Sequence, residues 1–484
     1  MSLDPEDWGA TREVAHRMVD DMLDWLETVR ERPAWQPVPA EVKDRFSSPV
    51  PRTGTDLATV YDRFTRDVLP YPTGNVHPRF WGWVMGTGSP AAMLAEMLAA
   101  GMNAHLAGYD QSAALVERQV LAWMRDLMGF PADASALLVS GGSEANLNGL
   151  IAARVARAGF DIRADGAQGG PQLTVHGSTE THSWVRKACE AMGLGRGAFR
   201  AIPTDDAYRI DLAAARASIL ADRAAGMRPF ALIGNVGTVN TAAVDDLVGL
   251  RALADELGLW LHLDGAFGAL AALSSYRDLV AGQELGDSLA FDLHKWGYLP
   301  YEIGVILTRD PDAQVAAFQA PSTGSPAYLR SATQGIAVDT TYFADRGLQL
   351  SRGFRALKAW MCLQEQGVDR IGAAIGRNID QARRLGALVD AHPSLERLAP
   401  VSMNIVCFRF LDAALAPERL DALNRRVLAE IQVRGIAVPS QTVLGGRFAI
   451  RVCITNHRTT DADLDLLVDA VVSIGRELLA ARTV

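Results

Sequence analysis

The sequence predicts an α/β protein: a mostly parallel central sheet flanked by helices, with an N-terminal helical segment before it and a smaller α+β domain after it. Three observations lead there. Between about residues 135 and 310, short apolar runs alternate with helical patterns, as in chains that join parallel strands through helical crossovers. Two of those runs end on charged residues, Leu-Trp-Leu-His-Leu-Asp (259–264) and Ser-Leu-Ala-Phe-Asp-Leu-His-Lys-Trp (288–296). Ahead of both, Ser-Gly-Gly-Ser-Glu-Ala-Asn (140–146) is a glycine turn that opens a helix.

Taken in order, Val14, Met18, Met22, Trp25 and Val29 recur every three or four residues, so residues 8–30 form an amphipathic helix ending before Pro33. Its apolar stripe precedes any strand and needs a partner, either the main domain or another subunit. Residues 34–80, rich in proline and polar side chains, read as a wrapping connection with short helices. Ser89-Pro90 starts the next helix, with serine at the cap and proline in the first turn. Gln172–His176 and Pro229–Val236 read as strands. Leu247, Leu250, Leu253, Ala254 and Leu257 share one helical face, and strands follow at 259–264, 288–293 and 303–307. Phe354, Leu357, Trp360 and Leu363 mark a long helix over 351–382. Beyond 386, short strands (Met403–Phe410, Phe448–Ile454) mix with helices, the last over 461–480. The chain thus divides into a helical segment (1–80), a large α/β domain (81–385) and a small α+β domain (386–484).

Acidic residues outnumber basic ones, 56 to 47, and the formal net charge of −9 argues against a general binder of nucleic-acid phosphates. Cys189, Cys362, Cys407 and Cys453 show neither metal-type nor disulfide-type spacing and read as buried, reduced thiols of a cytoplasmic protein. The opening Met-Ser-Leu-Asp-Pro-Glu-Asp-Trp lacks the basic and apolar regions of a signal peptide. The longest apolar tract, 89–108, carries Glu96, Asn103 and His105, so no membrane span is expected.

In open α/β sheets ligands bind outside the carboxyl ends of the strands, where Asp264 and Lys295 both fall. An amine, a carboxylate and a phosphate cradle at one sheet edge are what pyridoxal phosphate requires. Lys295 would form a Schiff base with the cofactor aldehyde, once its surroundings free it of its proton. Asp264 would face the pyridine nitrogen and keep it protonated, which makes the ring an electron sink. Gly141, Gly142 and Ser143 would hold the phosphate with main-chain N–H groups at a helix N-terminus. Gly265-Ala266 leaves room for a flat ring near the backbone. His182, within Ser-Thr-Glu-Thr-His-Ser-Trp (178–184), would stack on that ring and contact the substrate carboxylate. Each signal alone has an ordinary explanation: a surface lysine, a helix-capping aspartate, a common turn, an exposed histidine. Their order carries the reading: glycine turn, histidine, the Gly237-Thr238 turn, strand-end aspartate, His294-Lys295.

That order resembles the pyridoxal-phosphate-dependent (group II) amino-acid decarboxylases, which include enzymes for aromatic amino acids, histidine and glutamate. The resemblance runs over nearly the whole chain. It includes His-Pro-Arg-Phe-Trp-Gly (77–82), Tyr-Asp-Gln-Ser (109–112), Thr-His-Ser (181–183) and His-Leu-Asp-Gly-Ala-Phe-Gly (262–268). Asp-Leu-His-Lys-Trp (292–296), Ser-Arg-Gly-Phe-Arg-Ala-Leu-Lys (351–358) and Arg-Val-Cys-Ile-Thr-Asn-His-Arg-Thr-Thr (451–460) extend it. It implies a fold-type-I cofactor domain and an obligate homodimer with active sites at the subunit interface, the N-terminal helix packing on the partner. It also implies Lys295 as the Schiff-base lysine, Asp264 as the pyridine partner, His182 as the stacked ring, and Thr238, Ala266 and His294 as cofactor-lining residues.

The implied substrate contacts are Trp81, Trp83 and Tyr109. An aromatic amino acid is favoured, because no basic residue stands near Trp83–Thr87 to meet an acidic side chain. Two positions depart from the family pattern. Gly265 stands where the family usually has alanine. Family decarboxylases also carry a tyrosine on a mobile loop that returns a proton to Cα; here Asp-Thr-Thr-Tyr-Phe-Ala-Asp (339–345) offers Tyr342 or, by a gapless match from Ser351, Phe343. Tyr342 implies an amine product, and Phe343 an aldehyde, as in related aldehyde synthases. Aminotransfer on the same fold and cofactor binding without turnover are the remaining alternatives, and no metal is expected.

Overall fold

The computed structural model describes residues 2–320, 333–338 and 342–481. The chain forms two compact units: a large one from Val84–Arg383 and Ala399–Val406, and a small one from Met1–Trp83, Arg384–Leu398 and Cys407–Val484. In chain order the strands are β1 (Phe80–Trp81), β2 (Ser135–Val139), β3 (Leu173–Ser178), β4 (Phe199–Ile202), β5 (Arg228–Asn235), β6 (Trp260–Asp264), β7 (Ser288–Asp292), β8 (Gly304–Thr308), β9 (Leu395–Arg397), β10 (Ile405–Phe410), β11 (Val438–Leu444) and β12 (Arg447–Cys453).

The large unit's sheet runs β2-β8-β7-β6-β5-β3-β4. From β7 to β4 every pairing is parallel, while β8 lies antiparallel to both β7 and β2. Sheets of this kind are covered on both faces, and β2, β3, β6, β7 and β8 are buried at every position. β2 and β4 lie outside the strands that the sequence pattern predicts. Ser-Ala-Leu-Leu-Val reads equally well as helix, and Phe-Arg-Ala-Ile is only four residues long.

One buried apolar cluster joins Leu150, Ala152 and Ala153 of the helix Gly142–Arg157 to Val185 of the helix Trp184–Ala191 and to Val175, Phe230 and Ile233 of the sheet. Fully burying a side chain such as Phe230 is worth about 1.5–3 kcal/mol, so the cluster fixes where both helices begin. Gly149 permits the close approach: a Cβ there would stand 2.5 Å from Cε1 of His262.

The small unit's sheet runs β1-β11-β12-β10-β9. Phe80 and Trp81 pair in parallel with Val438 and Pro439, which draws the first 83 residues into the same unit as the C-terminal ones. The sequence reading sets 1–80 apart; two residues of strand are too short to register as a pattern. The helix Trp8–Glu27 is capped by Asp7, whose carboxylate accepts from the N–H groups of Gly9 and Ala10. Beyond its end, Arg30 Nη1 meets Asp463 Oδ1 at 2.7 Å. Val14, Met18, Met22 and Trp25 are half-buried and no residue of that helix is fully buried.

The single helix expected over 351–382 is two, Ala356–Gln366 and Val368–Ala391, parted by Gly367 at φ 71°. Glycine ends helices in this left-handed conformation at no steric cost. Apolar residues resume at Val368 and Ile371 just past the break, which leaves the break inconspicuous in the sequence. No helix among the described residues is long and apolar enough to cross a membrane.

Candidate active site

β5, β6 and β7 end side by side, with Asp264 in register with Asn235 and Ala290. Past β7 the chain turns through Leu293, His294 and Lys295. Trp296 Nε1 and Tyr298 Oη both donate to Oδ1 of buried Asn378, at 3.1 and 2.8 Å, and anchor the turn. Gly86 presses on it: a Cβ there would stand 2.0 Å from the His294 carbonyl oxygen and 2.5 Å from that of Lys295.

Lys295 Nζ lies 2.7 Å from Asp292 Oδ2; the lysine side chain is 22% exposed and the aspartate 1%. Burial pulls the lysine pKa down, but the charge and hydrogen bond of Asp292, with Asp264 and Tyr301 adding, leave it above the ordinary lysine value. Lys295 is therefore an ammonium here, and must lose a proton before it can attack a carbonyl. His294 points back into the turn. Its Nδ1 accepts from the Ile303 N–H at 3.0 Å and its ring lies on Tyr301, centroids 4.4 Å apart. Burial lowers the His294 pKa and keeps the ring neutral.

The glycine turn meets the lysine turn. A Cβ on Gly141 would stand 2.9 Å from Cε1 of His294, and one on Gly142 2.8 Å from Asp292 Oδ2 and 3.5 Å from Ala266 Cβ. Gly142 is also the first residue of a 16-residue helix, whose opening N–H groups and dipole favour an anion. Ser143 is exposed beside it. Glu144 Oε2 folds back to accept from Ser140 N at 2.9 Å and Ser140 Oγ at 2.6 Å, which closes the turn.

Asp264 is buried; Oδ1 accepts from the Ala266 N–H at 3.1 Å and Oδ2 from Trp184 Nε1 at 2.6 Å. His182 Nδ1 accepts from the Trp184 N–H at 3.3 Å, which assigns the neutral ring's proton to Nε2. Solvent reaches this ring, yet the desolvation it does suffer lowers its pKa, opposed by Asp264 and reinforced by Lys295 and Lys187. His182, Asp264 and Lys295 thus feel one another's charge. Thr238 is buried, its Oγ1 3.1 Å from Thr241 Oγ1 and accepting from the Ala243 N–H at 3.1 Å. Its turn leans on the segment after Asp264, where a Cβ on Gly268 would stand 2.0 Å from the Val236 carbonyl oxygen. At Gly265 an added Cβ would stand 2.7 Å from Ala269 Cβ, so Ala269 fills the space an alanine would need.

Tyr342 and Tyr109 stand edge to face with centroids 6.3 Å apart, and His105 is 6.1 Å beyond Tyr109. Phe343 is 1% exposed beneath the guanidinium of Arg352, and its N–H donates to the Ala107 carbonyl at 2.8 Å. Of that adjacent pair, Phe343 belongs to the core and Tyr342 to the aromatic group. Asp339, Thr340 and Thr341, the start of the expected loop word, lie outside the described residues. Trp81 and Trp83 fall in the small unit. Trp81 is 1% exposed and its Nε1 donates to Thr459 Oγ1 at 3.1 Å, so it is a core residue of that unit, while Trp83 is exposed.

The sequence reading passes over three residues of this site. Asp292 had a signal, since it shares the strand-end word with Lys295 and lies one turn before it. Trp184 and Tyr301 had none, because the direction in which a ring points across elements is not written in spacing.

The lysine turn, the buried strand-end carboxylate and a cradle that admits no Cβ fit the aldehyde, pyridine nitrogen and phosphate of pyridoxal phosphate. Fold and donor set together define a pyridoxal-phosphate enzyme. Residues 39–411 match the pyridoxal-dependent decarboxylase conserved domain, and the chain belongs to this family of pyridoxal-phosphate-dependent amino-acid decarboxylases. It is 31% identical to an aromatic-L-amino-acid decarboxylase of Bacillus atrophaeus, over 96% of both chains. It is equally, 31%, identical to an L-2,4-diaminobutyrate decarboxylase of Rhizobium meliloti (strain 1021), over 89% of this chain and 84% of that one. The structure of Oryza sativa TDC with PLP and tryptamine matches with a TM-score of 0.90 at 25% identity, covering 99% of this chain and 100% of that one. The α/β architecture and the cofactor expected from the sequence both stand.

Proposed function

We propose that this chain converts an aromatic L-amino acid to its amine and carbon dioxide, as a cytoplasmic homodimer whose Lys295 carries the cofactor. One observation supports the site above the others: Asp292 Oδ2 lies 2.7 Å from Lys295 Nζ and 2.8 Å from where a Gly142 Cβ would stand, so amine and anion cradle share one wall. Gly141, Gly142 and Ser143 would hold the phosphate, Thr238, Ala266 and His294 would line the site, and Asp264 would meet the ring nitrogen.

Pyridoxal phosphate, when bound, supplies the sink for the electron pair left as the Cα–carboxylate bond breaks. The chain's own residues do the rest. Asp292 holds the Lys295 ammonium in place, and the partly exposed lysine becomes a nucleophilic amine when it gives its proton up to solvent. The negative charge of Asp264 holds a proton on the ring nitrogen. His182, whose Nε2–H is not engaged by the backbone bond at Nδ1, would stack on the ring and orient the substrate carboxylate. Such positioning and preorganised charge carry most of the rate. Tyr342 Oη returns a proton to Cα in place of the departed carbon dioxide.

The aromatic group of Tyr109, Tyr342 and His105 supports a planar apolar substrate, since rings prefer edge-on or offset contact with other rings. Burial of Phe343 supports Tyr342 as the donor, hence an amine product. Exposed Met97, Leu98, Met102, Leu115 and Ile336 support a second copy covering the large unit, and the half-buried stripe of the first helix supports its packing on that copy.

The test is a product assay on purified protein with pyridoxal phosphate and a panel of aromatic, acidic and diamino acids. We expect carbon dioxide with equimolar amine from an aromatic substrate. Turnover of 2,4-diaminobutyrate alone would overturn the substrate assignment. Carbon dioxide with aldehyde, ammonia and hydrogen peroxide, at the expense of dioxygen, would overturn the amine product, and a keto acid formed only with an acceptor keto acid would indicate aminotransfer. In Tyr342→Phe we expect amine formation to fall by roughly 100-fold or more, the scale of a lost general acid.

A further inference from the structure

Behind the strand ends, buried side chains from four elements are joined. His262 on β6 is fully buried; its Nε2 lies 2.7 Å from Oδ1 of Asn146 on the helix Gly142–Arg157, and its Nδ1 2.7 Å from Oγ of Ser288 on β7. Ser288 Oγ also accepts from Trp260 Nε1 at 2.8 Å. Burial drives the His262 pKa down to about 4, so its ring is neutral. Trp184, the first residue of the helix Trp184–Ala191, stands edge-on to this histidine with centroids 5.7 Å apart and planes at 79°, and is 4% exposed. Its two N–H groups go to two different site residues. The backbone N–H reaches His182 Nδ1 at 3.3 Å and the indole Nε1–H reaches Asp264 Oδ2 at 2.6 Å.

We propose that Trp184 is a positioning residue that sets Asp264 and His182 together. A carboxylate offers about four lone-pair sites. Asp264 spends one of Oδ1 on the Ala266 N–H and one of Oδ2 on the Trp184 indole, which fixes its plane and leaves one on each oxygen for the cofactor ring. A hydrogen bond to an ionised acceptor is of the stronger kind, so the indole fixes the plane in which the carboxylate meets the ring. The same residue's backbone fixes the tautomer of His182. His262, locked by Asn146 and Ser288, holds the indole at its angle, so the element that bears the phosphate cradle also aims the ring's partner.

A purely space-filling role is the competing account. Trp184 belongs to the apolar cluster with Val185, Phe230 and Trp260, and a buried indole N–H usually finds some acceptor. The inference also rests on Asp264 as the ring-nitrogen partner, so the experiment separates the two. Trp184→Phe keeps a ring and removes the donor; it is combined with Asp264→Asn in a double-mutant cycle. We expect Trp184→Phe to lower kcat roughly 10- to 100-fold, the scale of one lost hydrogen bond to a charged group, with KM unchanged and loss of bound pyridoxal phosphate faster. In the Asp264→Asn background the same substitution should cost nothing further.

The apo-protein gives a readout free of turnover: with 15N-labelled tryptophan, the Trp184 indole resonance, assigned by its loss in Trp184→Phe, should move upfield in Asp264→Asn. Equal kcat losses in both backgrounds, or an indole resonance indifferent to Asp264→Asn, would overturn the proposal. An Asp264→Asn enzyme with undiminished kcat would instead overturn the assignment of Asp264 itself, while the indole resonance still reports on the bond.

Discussion

The large unit buries two ion pairs built in opposite ways. Arg352 is 1% exposed on its side chain and pairs with Glu117, donates to the carbonyls of Leu106 at 2.6 Å and Leu138 at 2.7 Å, and covers the ring of Phe343. Lys295 is 22% exposed, its ion pair is the single contact with Asp292, and Asp292 Oδ1 is buried without a hydrogen-bond partner among the described residues. A guanidinium is a rigid fork that several acceptors can lock at once, whereas an ammonium on a flexible stem is held by a point contact and shifts its pKa readily. The pair locked inside the core uses arginine, and the pair at the proposed cofactor site uses lysine.

Replacing each cation separates these designs. Lys295→Ala is expected to abolish turnover and the visible absorbance of covalently held cofactor, measured on reconstituted protein, while the chain stays folded by circular dichroism. Turnover surviving in that variant would remove Lys295 from the chemistry. Arg352→Met should do the reverse. It strands Glu117, whose carboxyl burial pushes up more than Arg352 draws it down, and breaking such a pair costs about 3–5 kcal/mol. Denaturant titration measures that loss, and the double variant with Glu117→Leu should recover most of it, because a buried pair replaced whole is near neutral. A cost under about 1 kcal/mol, the level of an exposed pair, would erase the contrast.

How much of this was legible depends on distance along the chain. Lys295, His294 and Asp292 sit in one word at the end of an apolar run, so the strand end and its chemistry appear together. The glycine turn and the cap at Ser89, whose Oγ accepts from the Ala92 N–H at 3.4 Å, are local patterns as well. What spacing does not hold is the direction of a side chain toward a remote element. Trp81 and Trp83 look alike in sequence, yet one donates to Thr459, 378 residues on, and the other is exposed. Trp184, two residues after His182, carries no signal in the sequence, and its 2.6 Å bond to Asp264 depends on how a helix start and a strand end are brought together by packing. Tyr342 and Phe343, one residue apart, differ in surroundings that spacing does not hold: Phe343 is buried beneath the guanidinium of Arg352, while Tyr342 stands against Tyr109.

The smallest expected effect sharpens the comparison most, because it leaves both pairs' elements in place. In Asp292→Asn the charge that holds the Lys295 proton is gone, leaving at most a neutral amide acceptor with Asp264 and Tyr301 to oppose burial, so the lysine pKa should fall from its raised position. Stability of the apo-protein should follow. With the folded pKa above the ordinary 10.5, the unfolded chain releases its proton first as pH rises. The pair's contribution is therefore fully present below 10.5 and lost as pH climbs through the folded value. Wild-type apo-protein should show that alkaline loss in denaturant midpoints, and Asp292→Asn should lack it. The half-reaction pH for acylation of Lys295, read by peptide mass spectrometry, should shift downward in the variant. An unchanged acylation profile would mean that some group other than Asp292 holds the ammonium.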